Sequence, residues 1–107
     1  MGCRLDFYSE RVERSIYALP KMLAVRFVAL AERMEQHGPN LGEPHTKAMG
    51  DGLFELRLKA AEGLARVFYC AMVDRRVVML HCYVKKTQHK EPEIACKRHQ
   101  EVKSGNL

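Results

Sequence analysis

Long apolar runs are missing from this chain of 107 residues, and no stretch approaches the roughly 20 apolar residues of a membrane-spanning helix. The opening residues, MGCRLDFYSE, also lack the apolar segment of a secretory signal peptide. These two absences argue against a membrane protein and against a secreted protein. We therefore expect a cytoplasmic protein with no membrane partner.

The residue spacings of metal sites are missing as well. The four cysteines form no CxxC pair, and the five histidines form neither an HxxxH motif nor a cluster with carboxylates. We therefore expect no metal site and no cofactor, and we expect the cysteines to be reduced and buried. The chain also has no internal repeat, so residues 1–107 are expected to form a single domain around one core.

Positive charge is present in excess and is unevenly distributed. The formal net charge is +5, and residues 51–107 hold 11 Lys and Arg against 7 Asp and Glu. Residues 1–50 are nearly balanced, with 7 basic and 6 acidic residues. A basic second half favours a polyanionic partner, although charge alone does not identify one.

Hydrophobic spacing in the first third predicts a short strand followed by two helices. RLDFYS alternates like a strand, and Ser9 is placed to cap the helix that follows. Pro20 is expected to break the helical pattern, and Gly38 before Pro39 is expected to end it. The apolar residues at helical spacing are Val12, Ile16, Leu19, Leu23, Phe27, Leu30 and Met34.

The remaining two thirds predict a loop, three strands and a last helix. PNLGEPHTKAMGDG reads as a loop that ends in a tight turn. The strands are LFELRLK, LARVFYCAMV and VVMLHCYV, and PEIACKRHQEV follows as a helix. The order β-α-α-β-β-β-α predicts an α+β fold, with an antiparallel sheet of about four strands. The first helices are expected to cover one face, while the other face stays partly open.

Strand alternation collects polar and basic residues on this open face, because successive side chains point to opposite faces of a sheet. The residues expected there are Arg57, Lys59, His81, Tyr83 and Lys85. In the last strand, Val78, Leu80, Cys82 and Val84 are expected to share the opposite face.

Arg66 is the residue that packing explains least well. It lies within an otherwise apolar central strand, where an arginine is costly unless it reaches solvent, a carboxylate or a bound anion. One explanation is a salt bridge to Glu55 or Glu62. The other is an anion site that Arg66 forms together with neighbouring cations.

The segment YVKKTQHK adds cations where the last strand ends, next to imidazole and hydroxyl groups. A charge run of this kind is often only a solvated strand end. Fixed cations beside His and Tyr are also what phosphodiester cleavage requires, since the cations stabilise charge on the phosphate and a titratable group moves the proton.

Taken together, LFELRLK, GLARVFY, VVMLHCYVKKTQ and ALPKMLAVRFVALAERMEQHG resemble the RelE/HigB-type toxins of bacterial type II toxin-antitoxin modules, in their phage-derived, tail-component-like branch. The similarity spans about residues 5–103. It implies the RelE fold, in which two N-terminal helices pack on a curved antiparallel sheet. It also implies metal-independent cleavage of mRNA, usually in the ribosomal A site, by attack of the 2′-hydroxyl on the adjacent phosphate. The implied partners are mRNA, the ribosome and a small antitoxin, often a helix-turn-helix protein.

The resemblance also assigns roles to residues. It implies a catalytic role for four cations, namely Arg57, Arg66, Lys85 and Lys86. Some RelE toxins have a catalytic tyrosine after the basic pair, whereas this chain has TQHKEP there. His89 is therefore expected to move the proton, with Tyr83 or a lysine as alternatives. Four further residues are expected to bind substrate, namely Lys59, His81, Tyr83 and Lys90.

Two functions remain open at this point. The first is a ribonuclease toxin. The second is a binding module without catalysis on the same fold, either a ParE-like topoisomerase inhibitor or a domesticated phage protein, because function resides in sites rather than in folds. A nuclease should bring Arg57, Arg66 and Lys85 or Lys86 to one anion-sized spot, with an imidazole or phenol in reach.

Overall fold

In residues 2–84 and 91–105, which a computed structural model describes, three helices surround a five-stranded sheet. The helices are α1 (Glu10–Tyr17), α2 (Lys21–His37) and α3 (Glu91–Lys103). The strands are β1 (Arg4–Phe7), β2 (Thr46–Gly50), β3 (Leu53–Ala60), β4 (Gly63–Ala71) and β5 (Arg76–Val84). The strand order across the sheet is β1-β5-β4-β3-β2.

The predicted helix boundaries are confirmed. The Ser9 hydroxyl accepts a hydrogen bond from the backbone N–H of Val12 at 3.2 Å and so caps α1. Pro20 separates α1 from α2, and Gly38 ends α2 with a φ of 101°, which glycine adopts without steric cost. None of the helices in the described part of the chain is long and apolar enough to cross a membrane.

The sheet is mixed, whereas the sequence pattern predicted an antiparallel sheet of about four strands. β1 pairs in parallel with β5, with Leu5 opposite Val77, and the other three pairings are antiparallel. Parallel neighbours require a long crossover, and here the helices and β2–β4 provide it. Periodicity identifies a strand but carries no information about the direction of its neighbour.

The strand that was not predicted is β2, which lies in the segment that was expected to be a loop. Lys47 pairs with Glu55 of β3, although most side chains of β2 are exposed. The segment has no apolar face to generate a strand pattern, and its structure depends on main-chain hydrogen bonds to β3. Thr46 is the buried residue of the strand, and its hydroxyl binds Asn40 and Gly42 of the preceding loop.

The two faces of the sheet are covered differently. On the inner face, α1 and α2 pack against the sheet and form the main core, which contains Val12, Ile16, Leu23, Phe27, Leu30, Met34, Leu56, Leu58, Val67, Tyr69 and Met79. On the outer face, α3 covers a smaller cluster, which contains Leu53, Cys70, Val78, Leu80 and Val102. No other element among residues 2–84 and 91–105 covers the rest of the outer face, and the side chains of Arg57, Arg66 and Tyr83 lie there only partly buried.

A β-bulge changes the alternation of β5 and corrects one prediction. Phe68 of β4 pairs with His81, but the next residue, Tyr69, pairs with Met79, so Leu80 has no partner on β4. Val78 and Leu80 therefore lie on the outer face under α3, whereas Cys82 packs on the inner core. The expectation that these residues share one face is wrong, because the extra residue shifts the period of two.

The cysteines are free thiols in different surroundings. Burial raises the pKa of Cys70 and of Cys82 to about 11, which keeps both thiols protonated and unreactive. Cys96 lies exposed on α3, so the expectation of buried cysteines is wrong for that residue.

Candidate functional site

Arg57 and Arg66 lie directly opposite each other on β3 and β4. Their neighbours in the two strands, Leu56, Leu58, Ala65 and Val67, are buried in the inner core and fix the register. Because side chains alternate, both guanidinium groups emerge on the outer face. The arrangement of β3 that alternation predicted is therefore confirmed.

A single carboxylate holds both arginines. Glu55 Oε2 accepts a hydrogen bond from Arg66 Nη1 at 3.0 Å, and Glu55 Oε1 lies 3.4 Å from Arg57 Nε. The Glu55 side chain is only 9% exposed, and that of Arg66 is 21% exposed. The sequence had left a salt bridge to Glu55 as one explanation of Arg66, and this pair is present. It fixes the position of a guanidinium group that still reaches the surface.

Glu62, the other carboxylate considered for Arg66, has a different role. Its Oε1 accepts hydrogen bonds from the backbone N–H groups of Met22, at 2.9 Å, and Leu23, at 3.3 Å. The first N–H groups of a helix have no partner within the helix, and Pro20 provides no side-chain cap for α2. Glu62 therefore joins the β3–β4 turn to the first turn of α2.

An open pocket of about 350 Å³ lies beside the two arginines. We call it the basic cleft, and its basic and titratable lining residues are Arg26, His45, Arg57, Lys59 and Arg66. Glu43 precedes the lining residue Pro44, and its Oε1 lies 3.4 Å from Arg57 Nη1. The Glu43 side chain is 70% exposed. With two carboxylates against four cations, the cleft keeps a positive charge that suits a phosphate group.

Arg26 and His45 were not predicted as site residues. Arg26 is exposed on α2, and the sequence offers no sign that this helix position meets the end of β3. The backbone carbonyl of His45 accepts a hydrogen bond from Arg57 N at 2.8 Å, which brings His45 to the cleft. Only the unpredicted pairing of β2 with β3 places it there.

A row of rings continues from the arginines across the outer face. Tyr83 of β5 lies opposite Arg66. Its ring stacks on Phe68, with centroids 6.0 Å apart, and on His81, with centroids 6.1 Å apart. His81 and Tyr83, both predicted to bind substrate, therefore share the face of Arg57 and Arg66. Stacked rings beside cations are typical of sites that bind single-stranded nucleic acid.

Four predicted site residues, Lys85, Lys86, His89 and Lys90, lie outside the described residues. Their catalytic and binding roles stay predictions. His99 belongs to α3 and is only 4% exposed. Burial lowers its pKa, and Lys103 lowers it further, while Asp51 opposes both effects. His99 therefore belongs to the structure of the covered outer face.

In residues 2–84 and 91–105, no group of three or more His, Cys, Asp or Glu residues is placed to hold a metal ion. The basic side chains that line the cleft are Arg26, Arg57, Arg66 and Lys59.

Comparison with protein families identifies the chain. Residues 14–100 match the family described as phage derived protein Gp49-like (DUF891). The chain belongs to this family. The Gp49-like match covers all of α2, the whole basic cleft and most of α3. A comparison of the chain with curated proteins finds no match.

Solved structures show which fold the Gp49-like chain has. A mutant of the E. coli toxin RelE in the free state matches with a TM-score of 0.70 and 16% identity, over 92% of this chain and 98% of that chain. The archaeal RelE-RelB complex from Pyrococcus horikoshii matches with a TM-score of 0.60 and 20% identity, over 81% of this chain and 99% of that chain. The α+β, RelE-like fold implied by the sequence resemblance is confirmed.

Proposed function

We propose that the protein is the toxin of a type II toxin-antitoxin module and cleaves mRNA on the ribosome without a metal ion. The observation that carries this proposal is the pair Arg57 and Arg66, held side by side on an open sheet face by the buried Glu55. Lys59, two residues further along β3, adds a third cation on the same face. The Gp49-like family and the RelE-like fold support the same assignment.

The proposed chemistry is attack of a ribose 2′-hydroxyl oxygen on the adjacent phosphorus. The new O2′–P bond forms as the P–O5′ bond breaks, which leaves a 2′,3′-cyclic phosphate and a 5′-hydroxyl. Arg57 and Arg66 stabilise the negative charge that develops on the non-bridging oxygens, and fixed guanidinium groups need no reorganisation to do so. The proton of the 2′-hydroxyl passes to a base, and the departing O5′ receives a proton.

The proton-transfer groups are assigned by position and by chemistry. His81 and Tyr83 lie on the same face as the arginines and can exchange a proton. His89 stays the residue predicted from the sequence, with Lys85 and Lys86 as the expected additional cations. Lys90 stays a predicted RNA contact.

We propose that a cognate antitoxin, a small protein of the helix-turn-helix type, neutralises the toxin. The solved complex of RelE with RelB, to which this fold is similar, supports a partner of that kind. The toxin would then be active only when the antitoxin is absent.

One observation favours a second candidate, a binding module without catalysis. Arg57 already contacts Glu43 and Glu55, and Arg66 contacts Glu55, so a phosphate must compete with carboxylates for both guanidinium groups. A ParE-like inhibitor of a topoisomerase, or a domesticated phage protein that binds only partners, would tolerate this neutralisation.

Expression of the chain alone tests the proposal. We expect growth arrest in bacteria, loss of full-length mRNA, and relief of both effects by co-expression of the adjacent reading frame. Arrest with intact mRNA and relaxed DNA would favour the topoisomerase inhibitor instead. Normal growth with folded protein present would contradict both toxin functions.

Chelation tests the metal-free mechanism. We expect EDTA to leave RNA cleavage unchanged under conditions that keep ribosomes intact, because the cations of the basic cleft supply the charge that a metal ion would provide. The measurement compares initial cleavage rates with and without chelator. A rate that collapses on chelation and returns with added metal would contradict the mechanism.

A further inference from the structure

A second, smaller pocket lies at the opposite side of the open outer face. β1 ends at Phe7, opposite Met79, so no strand of the described residues lies beside the edge of β5 beyond this point. There α1 approaches from the inner face and α3 from the outer face, and a pocket of about 120 Å³ remains between them. We call it the edge pocket, and its lining residues are Arg11, Val12, Ser15, His81, Cys82 and Arg98.

The guanidinium group of Arg98 is fixed at the wall of this pocket. Arg98 Nη1 donates a hydrogen bond to the Leu80 carbonyl at 2.7 Å and lies 3.5 Å from His81 Nδ1. The guanidinium carbon lies 4.8 Å from the centre of the Tyr8 ring, a cation–π arrangement. The nearby carboxylate of Glu101 accepts a 2.7 Å hydrogen bond from the Tyr8 hydroxyl. Arg98 is thus held in place by a backbone carbonyl and two rings.

Arg11 adds a second cation from α1. Its neighbour on the same helix, Arg14, pairs with Glu10 at 3.9 Å. Within the described part of the chain, Arg11 and Arg98 form no ion pair with a carboxylate. The edge pocket therefore differs from the basic cleft, whose arginines are partly neutralised. It offers two guanidinium groups and the Ser15 hydroxyl to an anion.

The ring row connects the two basic regions. Tyr83 lies opposite Arg66, and His81 lies two residues before Tyr83, so Arg66 and His81 are diagonal neighbours about 7–8 Å apart on the sheet. The backbone of a single nucleic-acid strand crosses such a distance within a few nucleotides. Its bases can meanwhile stack on the exposed parts of His81 and Tyr83.

We propose that the edge pocket binds a phosphate of a single-stranded RNA whose scissile phosphate lies in the basic cleft. This inference rests on the proposed nuclease function and adds a second anchoring point for the same strand. Guanidinium forks and a hydroxyl suit the oxygens of a phosphate, and the rings between the two basic regions favour RNA over an acidic peptide. Arg11 and Arg98 are positioned to bind RNA and to set its direction across the sheet.

Paired variants of α1 test the proposal by RNA binding. Arg11→Gln and Arg14→Gln remove the same charge from the same helix, but only Arg11 lines the pocket. The probe is a short 2′-O-methyl RNA oligonucleotide, which attack by a 2′-hydroxyl cannot cleave. We expect Arg11→Gln to weaken binding about fivefold, the size of one exposed charge contact. Arg11→Gln should also reduce the steepness with which log K for RNA binding falls with log salt concentration by about 0.7. Arg14→Gln should change neither the affinity nor this slope.

Inorganic phosphate provides an independent probe of the pocket. We expect phosphate to shift the NMR signals of the Arg98 side-chain Nε–H and the His81 ring in the wild-type protein and in Arg14→Gln. In Arg11→Gln these shifts should be reduced, while Ser15→Ala should show a smaller reduction.

The two measurements separate the possible failures. One failure is that Arg11→Gln and Arg14→Gln weaken RNA binding equally and that phosphate does not shift the Arg98 signal. This result would overturn the proposed phosphate site in the edge pocket and would leave the nuclease function standing. The other failure is that phosphate shifts the Arg98 NMR signal but the wild-type protein binds no RNA. This result would overturn both the proposed RNA contact of the edge pocket and the nuclease function.

Discussion

Two halves of the same sheet face differ in what covers them. In β3, Leu53, Glu55 and Arg57 all point to the outer face, yet Leu53 is buried in the cluster under α3 while Arg57 lines the basic cleft. α3 covers one half of the face and adds to stability there. No helix of the described part of the chain covers the other half, and Arg57 and Arg66 lie there. A side chain on the outer face therefore adds to stability where α3 covers it, and it is available to a ligand where α3 does not.

The largest expected effect is on the open half. Arg66→Ala should reduce RNA cleavage by about 10²–10³-fold, because one donor to the developing phosphate charge is removed. The free energy of unfolding should fall by only about 1–3 kcal/mol, since Glu55 keeps Arg57 as a partner when Arg66 is lost. Cleavage rates and denaturant unfolding should be measured on the same preparation.

Arg33→Ala is the matched control, because Arg33 is an exposed arginine of α2 outside the basic cleft. It removes the same charge and should leave cleavage unchanged. An Arg66→Ala protein that is folded and arrests growth as strongly as the wild type would contradict the catalytic assignment.

The covered half should respond in the opposite way. Leu53→Ala should lower the free energy of unfolding by about 2–5 kcal/mol, because it leaves a cavity beneath α3. Well below the unfolding midpoint, its cleavage rate should stay within a few-fold of the wild type. If Leu53→Ala stopped cleavage without destabilising the fold, the division of the face into two halves would be wrong.

The smallest expected effect is a pH dependence of the covered half. Burial and Lys103 hold the pKa of His99 below its ordinary value of 6.5, so the folded protein favours the neutral imidazole. The unfolded chain binds the proton more readily. The His99 contribution to stability is therefore complete above about pH 6.5 and is lost as the pH falls through the lower folded pKa.

His99→Gln should flatten this part of the stability profile, at pH values above those at which carboxylates titrate. Denaturant unfolding of both proteins over that range provides the measurement. Parallel profiles for the two proteins would show that another group causes the decline.

Much of the fold could be predicted because local signals dominate its first half. The Ser9 cap, the Pro20 break and the Gly38 terminator act within one turn of a helix, so the sequence contains all that is needed to place them. The alternation of β3 likewise places Arg57 and Lys59 on the outer face. These features depend on neighbours in the sequence rather than on the tertiary structure.

The features that were missed depend on distant partners. β2 has no apolar face and forms only because β3 supplies hydrogen-bond partners. His45 and Arg26 reach the basic cleft through that pairing and through the position of α2. Glu55, the carboxylate that holds both arginines, was considered only as a partner of Arg66. Its position between two cations requires the register of β3 and β4, which the sequence does not reveal.

The β-bulge at Leu80 makes one strand serve both halves of the outer face. Val78 and Leu80 hold α3, and His81 and Tyr83 continue on the same face only because one residue has no partner on β4. If β5 kept its length but paired with β4 without this bulge, strict alternation would turn His81 and Tyr83 toward the inner core and Cys82 outward. Among related chains, this strand should therefore tolerate exchanges of side chain far better than loss of the bulge at unchanged length.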